Sequence, residues 1–310
     1  MPAAVMEEII GPAAGAGYGV GAFNVTGIEH AEAIVAGAEA AAAPVVLQIS
    51  QNCVAYHGGL EPIAAACLAI AQAAAVPVAV HLDHASDVTL VEAAAALGLC
   101  SVMFDASALP YGDNVRATAE VAAWCHERGI WVEAELGEIG GKDGVHSPSA
   151  RTDPAEAARY VAATGVDALA VAVGSSHAML TRDAVLDLGL IATISRAVSV
   201  PLVLHGSSGV PDRDLIAAVQ AGMTKINIAT QLNRVFTAAV RRILSAEPTA
   251  VDPRKYGAAG RDAITPEVTR LLRLLAAGGI SQGTAAGLRE PAADRRARGG
   301  NAGEPLSPVE

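Results

Sequence analysis

Aromatic side chains are scarce in this 310-residue chain: two Trp, five Tyr and three Phe, 3% in all. That argues against a sandwich built around large rings. The Ala, Val, Leu and Ile that dominate the 52% hydrophobic content suit helices packed closely on a branched-aliphatic sheet. Basic residues are in deficit, 21 Lys+Arg against 32 Asp+Glu, and the net charge of −11 repels nucleic-acid phosphates and anionic membranes on average. Cysteine is limited to Cys53, Cys67, Cys100 and Cys125, with no C-x-x-C pair, so neither a zinc knuckle nor a redox motif is present. Four thiols in a reducing cytoplasm are expected. The opening "MPAAVMEEII" lacks a basic stretch before an apolar one and gives no secretory signal.

Long apolar runs are nearly absent as well. Only "IAAACLAIAQAAAVPVAV", residues 63–80, is uncharged and long enough to raise a membrane span. Ala dominates it, Gln72 interrupts it and Val76-Pro77 stops a helix, so it reads as a buried helix followed by a strand.

What the chain does have is alternation. Branched-aliphatic runs at 18–25, 45–50, 76–84, 101–107, 131–139, 168–176, 201–209 and 225–232 predict eight strands. The segments between them are rich in helix formers. "TDPAEAARYVAATG" opens on a cap followed by Pro, and "DNVRATAEVAAWCHERG" ends on a helix-terminating Gly. Eight repeats of strand and helix predict a (β/α)8 TIM barrel over residues 1–282 with a C-terminal helical extension, in preference to an open doubly wound sheet. Residues 283–310, rich in Gly, Pro and charge without apolar period, predict a disordered tail.

In such a barrel the active site lies at the C-terminal ends of the strands. The predicted strand ends carry Asn24, Gln48, Ser50, Asp83, His84, Asp105, Ser107, Glu133, Glu135, Ser175, Ser176, His177, His205, Asn227 and Thr230. Asn24 and Ser50 are thereby candidates to meet a substrate. Each histidine alone reads as a hydrogen-bonded structural residue. Three of them, His84, His177 and His205, on three strand ends beside carboxylates read as a catalytic zinc site with one position left open. Period-2 alternation puts His81 and Asp83 on one strand face and His84 on the other, so Asp83 and His84 share a site only where the chain is already turning.

"LVLHGSSGVPDRDL" supplies Gly206 and Gly209 for close backbone approach, with the hydroxyls of Ser207 and Ser208 beside them. With Asn227 and Thr230 it reads as a phosphate cradle after strands 7 and 8, or as a tight turn that merely needs glycine. "GEIGGKDGVH", 137–146, reads equally as a mobile loop bringing Asp143 to a substrate or as an ordinary surface loop. Lysine occurs only at 142, 225 and 255. Lys225 opens predicted strand 8, at the far end from a strand-top site, so metal-assisted carbonyl chemistry is favoured over imine chemistry.

These residues resemble the class II, zinc-dependent fructose-bisphosphate aldolase family, and within it the branch that includes tagatose-bisphosphate aldolases. "AFNV", "HLDHAS", "SVMFDAS", "VEAELGEIGG", "LAVAVGSSHAM", "PLVLHGSSGV" and "KINIATQL" occur in the family's order between residues 17 and 256. The resemblance implies His84, His177 and His205 as zinc ligands, with Glu135 and Asp105 as carboxylates of an alternative metal position. It implies Asp83 as the acid/base at the C4 hydroxyl and Asn24 as a substrate contact. Gly206, Ser208, Asn227 and Thr230 would hold the triose phosphate, near a monovalent cation. The implied reaction is reversible cleavage of a fructose or tagatose 1,6-bisphosphate to dihydroxyacetone phosphate and glyceraldehyde 3-phosphate through a zinc-stabilised enediolate, by a homodimer or homotetramer.

The chain departs from the family pattern in three places. Gly140-Gly141 is followed by Lys142, Asp143 and Gly144 where the family has consecutive acids, leaving Asp143 as the loop base. Ala178 follows His177 where Gly is common, and no C-terminal arginine matches the one some members use for a second phosphate. Two other readings remain: an aldolase for a different ketose phosphate, and a non-catalytic sugar-phosphate binding protein. A metal-dependent hydrolase on the same barrel fits less well, because "AFN" stands where such enzymes carry H-x-H.

Overall fold

The branched-aliphatic runs form strands and the Ala-rich segments helices, as their side-chain freedom favours. The structure is a computed structural model that describes residues 3–136, 151–176, 179 and 181–278. Helix α1 (Met6–Ala16) precedes β1 (Val20–Asn24), α2 (Ile28–Ala41), β2 (Val45–Ser50), α3 (Gln51–His57), α4 (Glu61–Ala73) and β3 (Val78–Ala85). Then come α5 (Val88–Ala96), β4 (Ser101–Phe104), α6 (Tyr111–His126), β5 (Trp131–Glu135), α7 (Pro154–Thr164), β6 (Ala168–Ala170) and α8 (Leu188–Ala197). The chain continues with β7 (Leu202–Leu204), a 3-10 turn at Ser207–Gly209, α9 (Asp212–Ala221), β8 (Met223–Ile228), α10 (Thr230–Ala246) and α11 (Pro253–Ala277). All strands pair in parallel and in sequence order, and β8 returns to β1, so the sheet is a closed (β/α)8 barrel.

Alternate residues along each strand face opposite ways, and the two faces differ in kind. Leu47, Ile49, Val80, Leu82, Val132 and Ile226 point outward into one continuous core with the helices. The inward face is layered. At the bottom, Val20, Ala22, Val46, Ala79, Ala168, Ala170 and Val203 are small enough to admit Met6, Ile9 and Ile10 of α1, which plugs the N-terminal mouth. Each of those three side chains contributes about 1.5–3 kcal/mol by burial. Higher up, the inward positions turn polar. This is unusual for a barrel interior, which is ordinarily filled by branched aliphatics.

Several predicted strands are too long. Those expected at 101–107, 168–176 and 201–209 end at Phe104, Ala170 and Leu204, where polar or Gly-containing segments leave the ladder within a few residues, and the one expected at 131–139 ends at Glu135. The strand expected at 225–232 ends at Ile228, and Thr230 instead opens α10. The apolar 63–80 run divides between α4 and β3, and no single helix among the described residues is long and apolar enough to cross a membrane. The C-terminal extension is α11, which lies against α2 where Gly37 permits close approach: a Cβ there would stand 2.8 Å from the Thr265 carbonyl oxygen. Burial pushes the Cys67 thiol up to about 12 and Cys125 to about 11, so both stay protonated and unreactive at neutral pH. The tail at 283–310, the 137–146 loop with Asp143, and His177 with Ala178 lie outside the described residues.

Candidate active site

The top of β3 resolves the alternation problem posed by Asp83 and His84. His84 adopts a left-handed backbone, φ +53°, and the β3–β4 register shifts between Leu82 and Ala85. That bulge inserts a residue into the ladder and turns His84 to the side of the barrel that Asp83 already faces. Left-handed backbone at a non-glycine residue is uncommon and is retained where the surroundings require it.

Around this bulge His84, Glu135 and His205 converge from β3, β5 and the end of β7, each with a ligand atom within 4.8 Å of the others. Behind His84, Asp105 Oδ2 lies 2.7 Å from its Nδ1, and Ser107 Oγ donates to Asp105 Oδ1 at 2.6 Å. A carboxylate on one ring nitrogen is the arrangement that fixes a metal-binding imidazole and its tautomer. His205 is held likewise: its Nε2 is 3.0 Å from Glu133 Oε1, while its Nδ1 faces Glu135 Oε2 at 3.2 Å. With the proton on Nε2 donated to Glu133, Nδ1 keeps its lone pair toward Glu135. Two imidazoles and a carboxylate make a donor set suited to zinc. Asp83, Asp105, Glu133 and Glu135 line this interior with one ammonium, Lys225, so the formal charge balance also favours a cation.

Asp83 stands beside the cluster, 2% exposed. Its Oδ2 accepts from Asn24 Nδ2 at 2.8 Å, and its Oδ1 is buried with no hydrogen-bond partner among the described residues. Burial alone would raise this carboxyl. The neighbouring His84 ring, the Lys225 ammonium and the His205 ring outweigh it and hold the group well below the usual carboxylate range. A buried anion with one oxygen committed and one uncommitted is suited to accepting a proton from a bound hydroxyl.

The remaining predicted residues fall in two places. Gly206 has φ +68° and opens the 3-10 turn. Ser207 Oγ donates back to the Leu204 carbonyl at 2.9 Å, and Ser208 Oγ accepts from the Gln231 N–H at 3.1 Å, tying the turn to the first turn of α10, where Thr230 is the first residue. A glycine turn against a helix N-terminus is a ready anion site. A Cβ on Gly206 would lie 2.5 Å from the Ser176 carbonyl oxygen and 2.8 Å from its nitrogen, backbone atoms that have no room to give. Gly206→Ala is therefore expected to lower stability by about 1–3 kcal/mol in urea unfolding, and an unchanged midpoint would contradict this packing. Ser50 lies away from the ligand cluster in role: its Oγ caps α3 by accepting from the Cys53 N–H at 3.2 Å.

Sequence reasoning misjudged Lys225. Although it starts low on β8, its ammonium rises into the polar layer, fully buried, 2.8 Å from Glu133 Oε2. His81, in the same layer, pairs its Nδ1 with Ser101 Oγ at 2.7 Å. Reading each inward face two residues below a strand-end residue, from Glu135 to Glu133, Asn227 to Lys225 and Asp83 to His81, would have found this layer. Burial, reinforced by the Lys225 charge, lowers His81 from 6.5 to about 3, so its ring is neutral at neutral pH. Below pH 6.5 the unfolded chain binds the proton and the folded one does not, so this residue's stability contribution is lost as pH falls from 6.5 toward 3. His81→Gln should flatten the fall of unfolding free energy between pH 6.5 and about 4.5, where the native residue adds a slope approaching about 1.4 kcal/mol per pH unit. Superimposable profiles would contradict a neutral buried ring.

The family profile described as "Fructose-bisphosphate aldolase class-II" matches residues 4–279. The chain belongs to the class II fructose-bisphosphate aldolase family. It is 39% identical over 272 residues to the fructose-bisphosphate aldolase of Geobacillus stearothermophilus, covering 86% of this chain and 95% of that one. It is 35% identical over 283 residues to the 6-phospho-5-dehydro-2-deoxy-D-gluconate aldolase of Shouchella clausii, covering 90% and 97%. Among solved structures, the YdjI aldolase of Escherichia coli K12 matches with a TM-score of 0.78 at 32% identity, over 89% of this chain and 98% of that one. The protein is thus a class II aldolase, a carbon–carbon lyase of a family that is generally zinc-dependent, and His84, Glu135 and His205 form a site that can hold the metal.

Proposed function

We propose that this aldolase reversibly cleaves a ketose 1,6-bisphosphate, fructose or its C4 epimer tagatose, into dihydroxyacetone phosphate and glyceraldehyde 3-phosphate. The observation that carries this reading is the uncommitted Asp83 Oδ1 beside the His84, Glu135 and His205 donor set. A zinc ion held by these three residues, with His177 as the third imidazole, would supply Lewis-acid polarisation of the ketose carbonyl.

This chain's own groups do the rest. The turn at Gly206–Gly209 and the start of α10, with Asn227 beside them, bind the phosphate of the triose half, and the amide of Asn24 lies where it can meet substrate hydroxyls. A monovalent cation near that phosphate belongs to the same reading. Asp83 Oδ1 takes the C4 hydroxyl proton as the C3–C4 bond breaks, and returns it in condensation. Asp143, carried by the loop after β5, protonates C3 in cleavage and removes the same proton in condensation. The assembly is a homodimer or homotetramer, and the compartment the cytoplasm.

A second reading is favoured by the relative named 6-phospho-5-dehydro-2-deoxy-D-gluconate aldolase and by the missing match to a second phosphate-binding arginine. In it the substrate is a ketose phosphate with a single phosphate. Cleavage assays on fructose and tagatose 1,6-bisphosphates beside single-phosphate ketoses separate the two. The first reading expects kcat/KM at least about 10-fold higher for a bisphosphate, since a built phosphate contact is worth that much or more. Preference for a monophosphate overturns it.

A further inference from the structure

The polar layer beneath the ligands contains an ammonium for which the aldol reaction has no use. Lys225 is fully buried, and its three N–H donors meet three acceptors: Gln48 Oε1 at 2.5 Å, Glu133 Oε2 at 2.8 Å and Asn227 Oδ1 at 2.9 Å. An ammonium only donates, so any amide that touches it must present its oxygen. Gln48 is thereby left with its nitrogen edge upward, and its Nε2 donates to Asn24 Oδ1 at 3.1 Å. Asn24 in turn has only its nitrogen to offer, which donates to Asp83 Oδ2 at 2.8 Å. An isolated amide pair can flip together with little change in energy. Here the cation at the foot of the chain and the carboxylate at its top both favour the same sense, and together they set every bond in one direction.

We propose that Lys225, acting through Gln48 and Asn24, is the positioning residue for Asp83. The relay holds the carboxylate by Oδ2 alone and leaves Oδ1, buried and without a hydrogen-bond partner among the described residues, for a substrate hydroxyl. The inference rests on the reading of Asp83 as the acid/base. Were the relay reversed, Asn24 would turn its oxygen toward the carboxylate, and the two acceptors would repel.

Gln48→Met keeps chain length and removes both the acceptor for Lys225 and the donor to Asn24. It is expected to lower kcat for carbon–carbon cleavage by about 10- to 100-fold, the usual consequence of misaligning a reacting group. KM and bound metal should stay within about threefold. So should exchange with water of the hydroxymethyl C–H proton of dihydroxyacetone phosphate, on the carbon that is C3 of the ketose, because the loop acid and not Asp83 takes that proton. An unchanged kcat overturns the proposal, and so does an equal loss of cleavage and of this proton exchange, which marks general damage. If Gln48→Met does not fold, Gln48→Glu at pH 8, which keeps the acceptor and loses the donor, is judged by the same outcomes. Independently of catalysis, the side-chain amide protons of Gln48 and Asn24 in the wild-type protein should exchange with solvent far more slowly by NMR than exposed amides. Equally fast exchange overturns the relay. A wild-type protein that cleaves no ketose phosphate overturns the proposed activity instead, and the amide measurement then decides the relay by itself.

Discussion

His84→Ala is expected to weaken metal affinity by more than about 100-fold, beyond the 10- to 100-fold loss usual when only a supporting partner of a ligand is removed. Aldol cleavage should fall with it. The expectation follows from how much local structure is given over to this one side chain: a left-handed backbone at φ +53°, a register shift in the β3–β4 ladder, and Asp105 Oδ2 at 2.7 Å from Nδ1. Asp105→Asn supplies the graded comparison. It keeps the shape behind His84, loses the charge, and should fall within the smaller range. Metal content by atomic absorption and affinity by competition with a chelating dye measure both. Equal effects from the two substitutions would mean that His84 is not a ligand.

Asp83→Ala should separate chemistry from metal binding. The carboxylate is not one of the clustered ligand groups, and its Oδ2 is held by Asn24. Its loss is expected to reduce kcat by about 10²- to 10⁴-fold, the range for a missing general acid/base, with metal content near normal. The substitution also removes a buried anion that its neighbours stabilise and the acceptor for Asn24, so some loss of folding stability accompanies it, and kcat is compared on folded protein. Steady-state cleavage together with metal analysis tests this. A variant that loses metal along with activity would place Asp83 among the ligands and contradict its assigned role.

The barrel was legible in the sequence because its strands and helices differ so plainly in composition, and β2 coincides with the predicted 45–50. Strand ends were less legible. Asp105 and His205 sit just beyond their ladders, and the hydrogen bonds that end β4 and β7 are a property of the neighbouring strands. Helix α1 went unrecognised: its Met6, Ile9 and Ile10 make sense only once small residues from several strands open a mouth for them to fill. The convergence of His84 with Asp83 depends on one positive φ, which no spacing encodes at a histidine. Lys225 was misplaced for another reason. Its Cα lies low in the barrel, but a four-carbon stem carries the charge into the layer above, so backbone position and site of action differ for so long a side chain.

The central claim, that a metal held at the strand tops drives aldol cleavage, is tested most directly by removing and restoring it. Purified protein is assayed on fructose and tagatose 1,6-bisphosphates before chelation, after it, and after titration with zinc. The account predicts that chelation abolishes cleavage and that about one zinc per chain restores it, because His84, Glu135 and His205 form one such cluster among the described residues. Turnover indifferent to the chelator, accompanied by an enzyme–substrate adduct trapped by borohydride on Lys225 or another lysine, would contradict it.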